Sequence, residues 1–219
     1  MKKLAFISLL LFLGTCSLQL GEIKQEFYPS GKLKAERSFK NGKRNGINKV
    51  YYESGRLKSK ATFQDGNLEG TGRIYYESGT LRVEENYKRG KRDGVYKLYY
   101  ENGNLDMESN YKDGIQEGLC KVYYESGAIE GEATFKKGKL DGIIKEYYEN
   151  GQLRIEGNYK NGKREGISKV FTEAGEILYI DTYENGQKVS RKGFDENGII
   201  EFEEDYTITE VEGLVDFSL

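Results

Sequence analysis

The sequence predicts an all-β fold, an elongated array of about seven 24-residue β-hairpin repeats forming one twisted antiparallel sheet. Three observations predict it. Glycines recur in three phases at a step of 24 residues without one insertion, from Gly31 to Gly175, from Gly42 to Gly186 and from Gly46 to Gly166. An aromatic phase (Phe39, Phe63, Tyr87, Tyr111, Phe135, Tyr159, Tyr183) and an aliphatic phase (Leu33, Leu57, Leu81, Leu105, Ile129, Leu153, Ile177) keep the same step, as repeat architectures do. The dipeptides Ser54-Gly55, Ser78-Gly79, Asn102-Gly103, Ser126-Gly127 and Asn150-Gly151 sit between apolar-alternating runs, the pattern of a tight hairpin turn.

The repeat makes the 219 residues a quasi-one-dimensional array in which each unit touches mainly its neighbours. With 34 basic and 36 acidic residues the net charge is −2, so no overall field draws the chain to nucleic acid or to an acidic membrane. The 28 Gly, 18 Tyr and 10 Phe suit turns and strands. The absence of His removes the commonest general base and transition-metal ligand, and two Cys cannot build a thiolate metal cage. No cofactor and no metal centre are expected.

Along the chain, residues 1–16 read as a signal peptide, with Met1-Lys2-Lys3, an apolar run from Leu4 to Leu13, then small residues. The run ends in Leu13-Gly14-Thr15-Cys16, which leaves two readings open: a lipoprotein signal with lipidation of Cys16, or ordinary cleavage near Cys16 or Ser17. Either sends the mature chain out of the cytoplasm, to the cell envelope or to the medium. Residues 17–25 read as a tether, 26–186 as the repeat array, and 187–219 as a degenerate repeat and C-terminal cap with the acidic run Glu201 to Asp205.

Within a unit, a two-residue loop at Ser54-Gly55 would set Glu53 opposite Arg56, Tyr52 opposite Leu57, Tyr51 opposite Lys58, Val50 opposite Ser59 and Lys49 opposite Lys60. Alternation then gives a core face with Val50, Tyr52, Leu57, Ala61 and Phe63, and a second face with Lys49, Tyr51 and Lys58. On that second face Arg73 meets Glu84, Lys97 meets Glu108, Lys121 meets Glu132 and Lys145 meets Glu156. Fourteen strands would span on the order of 65 Å, and such a sheet must curl over its apolar face or cover it with a second copy. The lone Pro29 is expected to blunt the outermost edge. Cys120 falls on the core face, as a buried thiol, with a disulfide-linked dimer as the other reading.

The stretch Ile155-Glu156-Gly157-Asn158-Tyr159-Lys160-Asn161-Gly162-Lys163-Arg164-Glu165-Gly166 resembles the MORN repeat. Tyr147 to Leu153, Tyr-Tyr-Glu-Asn-Gly-Gln-Leu, resembles the run that precedes the motif in a bacterial subtype whose members are commonly labelled antitoxins. The resemblance covers about residues 26–190 and implies a non-enzymatic hairpin array used for protein or membrane association. Phe or Tyr stands where the family usually has Trp.

The resulting expectation is an exported, non-enzymatic scaffold, lipid-anchored on the first reading of Cys16, that binds a protein or surface polymer. An antitoxin or immunity-type inhibitor is the alternative. The candidate binding residues are the aromatic ladder Tyr51, Tyr75, Tyr99, Tyr123, Tyr147 and Phe171 and the basic row Lys49, Arg73, Lys97, Lys121, Lys145 and Lys169. Tyr offers large contact area at small entropy loss, but it is also a good strand former. A homodimer is a further candidate partner, nucleic acid is not, and membrane contact is confined to the lipid. The repeated Glu53, Glu77, Glu101, Glu125 and Glu149 sit in equivalent positions, whereas glycoside hydrolysis needs two carboxylates in unlike environments.

Overall fold

The computed structural model describes residues 21–206. The stretch expected to be a signal peptide, with Cys16, the first part of the expected tether and residues 207–219 of the expected cap lie outside the described residues. The rest is one open antiparallel sheet, in which each strand pairs with its sequence neighbours from Glu22–Phe27 at one edge to Ile200–Asp205 at the other. There are twenty strands, four of them two-residue pieces such as Lys43–Arg44, each separated by one residue, Asn45 in that case, from a following strand that opens on a glycine.

Two kinds of turn alternate, and the sequence expectation interchanged them. The two-residue loops are Asn41-Gly42, Asp65-Gly66, Arg89-Gly90, Asp113-Gly114, Lys137-Gly138, Asn161-Gly162 and Asn185-Gly186, in which both residues have positive φ. That is the primed geometry whose twist matches the flanking strands. At Ser54-Gly55 the loop has three residues instead. Gly55 N–H donates to Tyr52 O at 2.9 Å, Tyr52 N–H donates to Arg56 O at 2.8 Å, and only Gly55 has positive φ. This is a turn closed by a glycine bulge, so Tyr51 lies opposite Leu57 rather than Lys58. A second bulge at Lys58 takes up the extra residue, so Val50–Ser59 and Lys49–Lys60 pair as expected, but the expected faces of two residues are exchanged. Leu57 stands opposite Tyr51 on the outer face, and Lys58 lies on the inner face with its Nζ 5.3 Å from the Tyr52 ring centroid.

Pro29 occupies the first loop position of an equivalent turn, where Gly31 N–H donates to Tyr28 O at 2.9 Å. Its fixed φ sets that turn, and it does not guard the edge strand. Residues 22–25, read as tether, are part of that edge strand. Residues 187–206 extend the sheet: Gln187–Phe194 pairs with Ile177–Glu184 and with Ile200–Asp205.

One face buries the apolar residues. A column runs across the strands through Ala35, Val50, Ser59, Ile74, Val83, Leu98, Met107, Val122, Gly131 and Glu146. Beside it small residues dominate, among them Ala61, Gly72, Ser109, Cys120, Ala133, Gly157 and Ser168. Cys120 and Ala133 are 0% exposed because Met107, Val122, Phe135, Ile144 and Tyr159 close around them. A single-layer sheet thus makes its core by folding large side chains over small ones.

The same face buries three carboxylates. Glu85 pairs with Arg92 at 2.9 Å, Glu146 with Arg154 at 2.5 Å, and Asp181 with Arg191 at 2.7 Å and Lys188 at 3.1 Å. Each acid enters the core with its own cation, as a buried charge requires.

Candidate functional site

The opposite, outer face holds the predicted site residues, and the strand pairings arrange them in columns. Nearest the three-residue turns lie Tyr51, Tyr75, Tyr99, Tyr123, Tyr147 and Phe171, all partly exposed. Burial raises the pKa of Tyr123 and Tyr147. The Tyr51 hydroxyl donates to Glu36 at 2.9 Å and holds that carboxyl below its usual range.

The basic row forms the second column, and it is not a row of free cations. Each of its members stands beside an acid of a neighbouring strand, giving the run Arg73, Glu84, Lys97, Glu108, Lys121, Glu132, Lys145, Glu156, Lys169. Ion pairs close at Arg73–Glu84 (2.7 Å), Lys97–Glu108 (3.2 Å) and Lys121–Glu132 (3.0 Å). The hydrogen bonds to Glu108 and Glu132 raise the pKa of Lys97 and Lys121. Lys49 reaches Glu36 at 3.8 Å, but Lys49, Lys60 and Arg73 follow one another with no acid between them.

A third column was absent from the sequence reading. Ile47, Val95, Leu119, Ile143 and Ile167, with Thr71 in the second unit, continue the 24-residue step, and the five aliphatic residues are 37–59% exposed. Their signal is an aliphatic residue directly after each glycine of the Gly46 phase. Those glycines have positive φ, and at Gly94 an added Cβ would lie 3.2 Å from Asn86 Cβ. The polar residues beside the stripe are occupied by backbone: Asn86 Nδ2 donates to Val95 O (2.9 Å) and Ser38 Oγ to Ile47 O (2.9 Å). The aliphatic side chains therefore stand clear, with little unsatisfied polar surface around them.

The second tyrosine of each Tyr-Tyr pair has a different task. Tyr52, Tyr76, Tyr100, Tyr124 and Tyr148, with Tyr28 of the Phe27-Tyr28 pair, donate their hydroxyls to the carbonyls of Tyr75, Tyr99, Tyr123, Tyr147, Phe171 and, for Tyr28, Tyr51, at 2.6–2.8 Å. Each bond ties one unit to the next. The doubled Tyr in the repeat was the visible signal, with the staple ending where Thr172 replaces Tyr. The outer tyrosines contribute only backbone to it, which leaves their rings for contact.

The repeated glutamates Glu53, Glu77, Glu101, Glu125 and Glu149 are exposed in the three-residue loops. It is their backbone that is used: Glu77 O accepts from Arg56 Nη1 (2.8 Å) and Glu125 O from Asn104 Nδ2 (2.8 Å). Among the described residues no group of three or more Cys, Asp or Glu is arranged to hold a metal ion. Cys120 is a buried free thiol, which burial pushes up to about 11.

No curated protein matches the chain in sequence. The MORN repeat variant matches it at residues 23–41, 44–65, 68–89, 92–113, 116–137, 140–161 and 164–185, and the MORN repeat itself matches residues 156–167. The seven matches follow the hairpins in phase and cover well over half of the sequence, so the chain belongs to the MORN repeat variant family.

Proposed function

We propose that this protein is an exported, non-enzymatic scaffold, held at the cell envelope by a lipid on Cys16, that binds a protein or a surface polymer along its outer face. The observation that carries the reading is the periodic outer face itself. Partly exposed aromatics over six units run parallel to charges that alternate from Arg73 to Lys169 and to exposed aliphatic residues in five of the six. A partner with its own repeat could engage several units at once, and linked weak contacts multiply. The resemblance of Tyr147 to Leu153 to the run of the bacterial MORN subtype supports this reading.

Two measurements test it. The intact mass of the protein from membrane fractions should correspond to an acylated chain beginning at Cys16, and Cys16→Ser should abolish both acylation and membrane retention. An unprocessed chain in the cytoplasm would overturn the export reading. Tyr99→Ala with Tyr123→Ala should weaken partner binding while the urea midpoint changes little. An equal loss of folding would remove the tyrosine ladder from the binding site.

A further inference from the structure

The net charge of −2 conceals a strong polarity along the array. Residues 31–60 carry ten Lys or Arg against Glu36 and Glu53, a surplus of +8, while residues 201–219 carry seven Asp or Glu and no basic residue, −7. The basic stretch covers the first hairpins, where Lys32, Lys34, Lys40, Lys43 and Lys58 are exposed. The described acidic residues lie on the edge strand Ile200–Asp205, where Glu201, Glu203, Glu204 and Asp205 are all exposed.

The outer charge column registers the same asymmetry. From Arg73 to Lys169 cations and anions alternate, but Lys60 stands between Lys49 and Arg73, so both its cross-strand neighbours are cations. Like charges directly opposite one another destabilise a sheet. Lys49 has Glu36 and Arg56 has the Glu77 carbonyl, but Lys60 has no acid across from it on either strand, and the basic end keeps its surplus of positive charge.

One copy cannot neutralise itself. The described sheet is sixteen full strands wide, edges included, and at ~4.8 Å per strand the basic hairpins and the acidic strand lie on the order of 60 Å apart along it. The screening length is only ~10 Å at 0.1 M salt. We propose that the basic N-terminal hairpins are a docking surface for the acidic C-terminal strand of a second copy, giving an antiparallel pair. In that arrangement each basic end meets one acidic end, so the contact forms twice and closes with two-fold symmetry.

Glu203 is already paired with Lys192 at 2.9 Å, whereas Asp205 stands opposite Ser190. The test is therefore sedimentation of the full chain carrying Cys16→Ser, with two charge reversals: Lys49→Glu with Lys60→Glu at the basic end, and Glu201→Lys with Asp205→Lys at the acidic end. In low salt the parent should sediment at twice the monomer mass. In about 1 M NaCl, where screening acts within about 3 Å, it should be monomeric. Each reversal alone should give a monomer with unchanged circular dichroism, and an equimolar mixture of the two should restore the pair, because the reversed ends are again complementary. A parent that stays monomeric in low salt, reversals that still pair, or a mixture that stays monomeric would each overturn the proposal.

Discussion

Replacing the inner tyrosine of a central unit tests how the units are held together. The Tyr100 hydroxyl donates to Tyr123 O at 2.7 Å from a partly buried position. Burial and the neighbouring Asp106 push its phenol up to about 12, so it remains a donor throughout the neutral range. Tyr100→Phe removes that hydrogen bond and keeps the ring. One neutral hydrogen bond is worth about 1 kcal/mol, and a carbonyl left without a donor raises the loss toward about 2 kcal/mol. The equivalent changes at Tyr52, Tyr76 and Tyr124 lie in separate units, so the effects should add, to about 4–8 kcal/mol for all four. That is a large part of a domain's usual stability of about 5–15 kcal/mol. Urea unfolding followed by circular dichroism reads the sum, and hydrogen exchange reads where the array opens, which should be at the altered junctions. Tyr99→Phe is the control, since the staple uses only the backbone of that column. Equal losses for Tyr100→Phe and Tyr99→Phe, or a fourfold variant within about 1 kcal/mol of the parent, would refute the staple.

Four further outcomes are expected. Arg89 and Lys137 hold φ of 51° and 52° in two-residue turns where other units place Asn or Asp, so Arg89→Asn or Lys137→Asn should stabilise the protein by about 0.5–1 kcal/mol in urea unfolding. Lys60→Glu completes the alternation beside Lys49 and Arg73 and should add about 0.2–1 kcal/mol, although the same position is expected to weaken pairing between copies. Burial alone would raise the Asp181 pKa, but Arg191 and Lys188 together bring it below the usual carboxylate value. Its stabilisation is therefore complete above about pH 4 and is lost as pH falls through the lower folded value. Asp181→Asn should cost about 3 kcal/mol at neutral pH and flatten the acid limb of a stability profile. Cys120, 0% exposed and with its pKa pushed up to about 11, should resist thiol reagents at pH 8 in the folded protein and react at once in denaturant.

Much of this architecture was legible because the period never slips. Gly31 to Gly175 set the unit, strand alternation sorted Val50 from Lys49, and the opposed pairs from Arg73–Glu84 to Lys145–Glu156 fell where charge complementarity placed them. The turns were less legible because Xaa-Gly serves both loops. Ser54-Gly55 and Asp65-Gly66 look alike in sequence, yet only the second has both residues at positive φ. The interior register survived because a second bulge, at Lys58, restores what the three-residue turn displaces. The stripe from Ile47 to Ile167 escaped because an aliphatic residue in a strand is normally assigned to the core, whereas here a positive-φ glycine precedes each one and alternation sets it on the outer face. The buried Glu85, Glu146 and Asp181 were invisible for the converse reason. Each enters the core only because a particular cation, Arg92, Arg154 or Arg191, lies within reach, which composition cannot reveal.

The outer face is the centre of this account, and a photo-cross-linking scan in the intact cell tests it most directly. Photoreactive residues placed at Val95, Leu119 and Ile143 sample the exposed stripe, and others at Lys58 and Arg82 sample the exposed side chains beside the inner tyrosines. The account predicts one discrete cross-linked species, shared by the three outer positions and missing from the two inner ones. Cross-links confined to Lys58 and Arg82, or the same species from both faces, would contradict it.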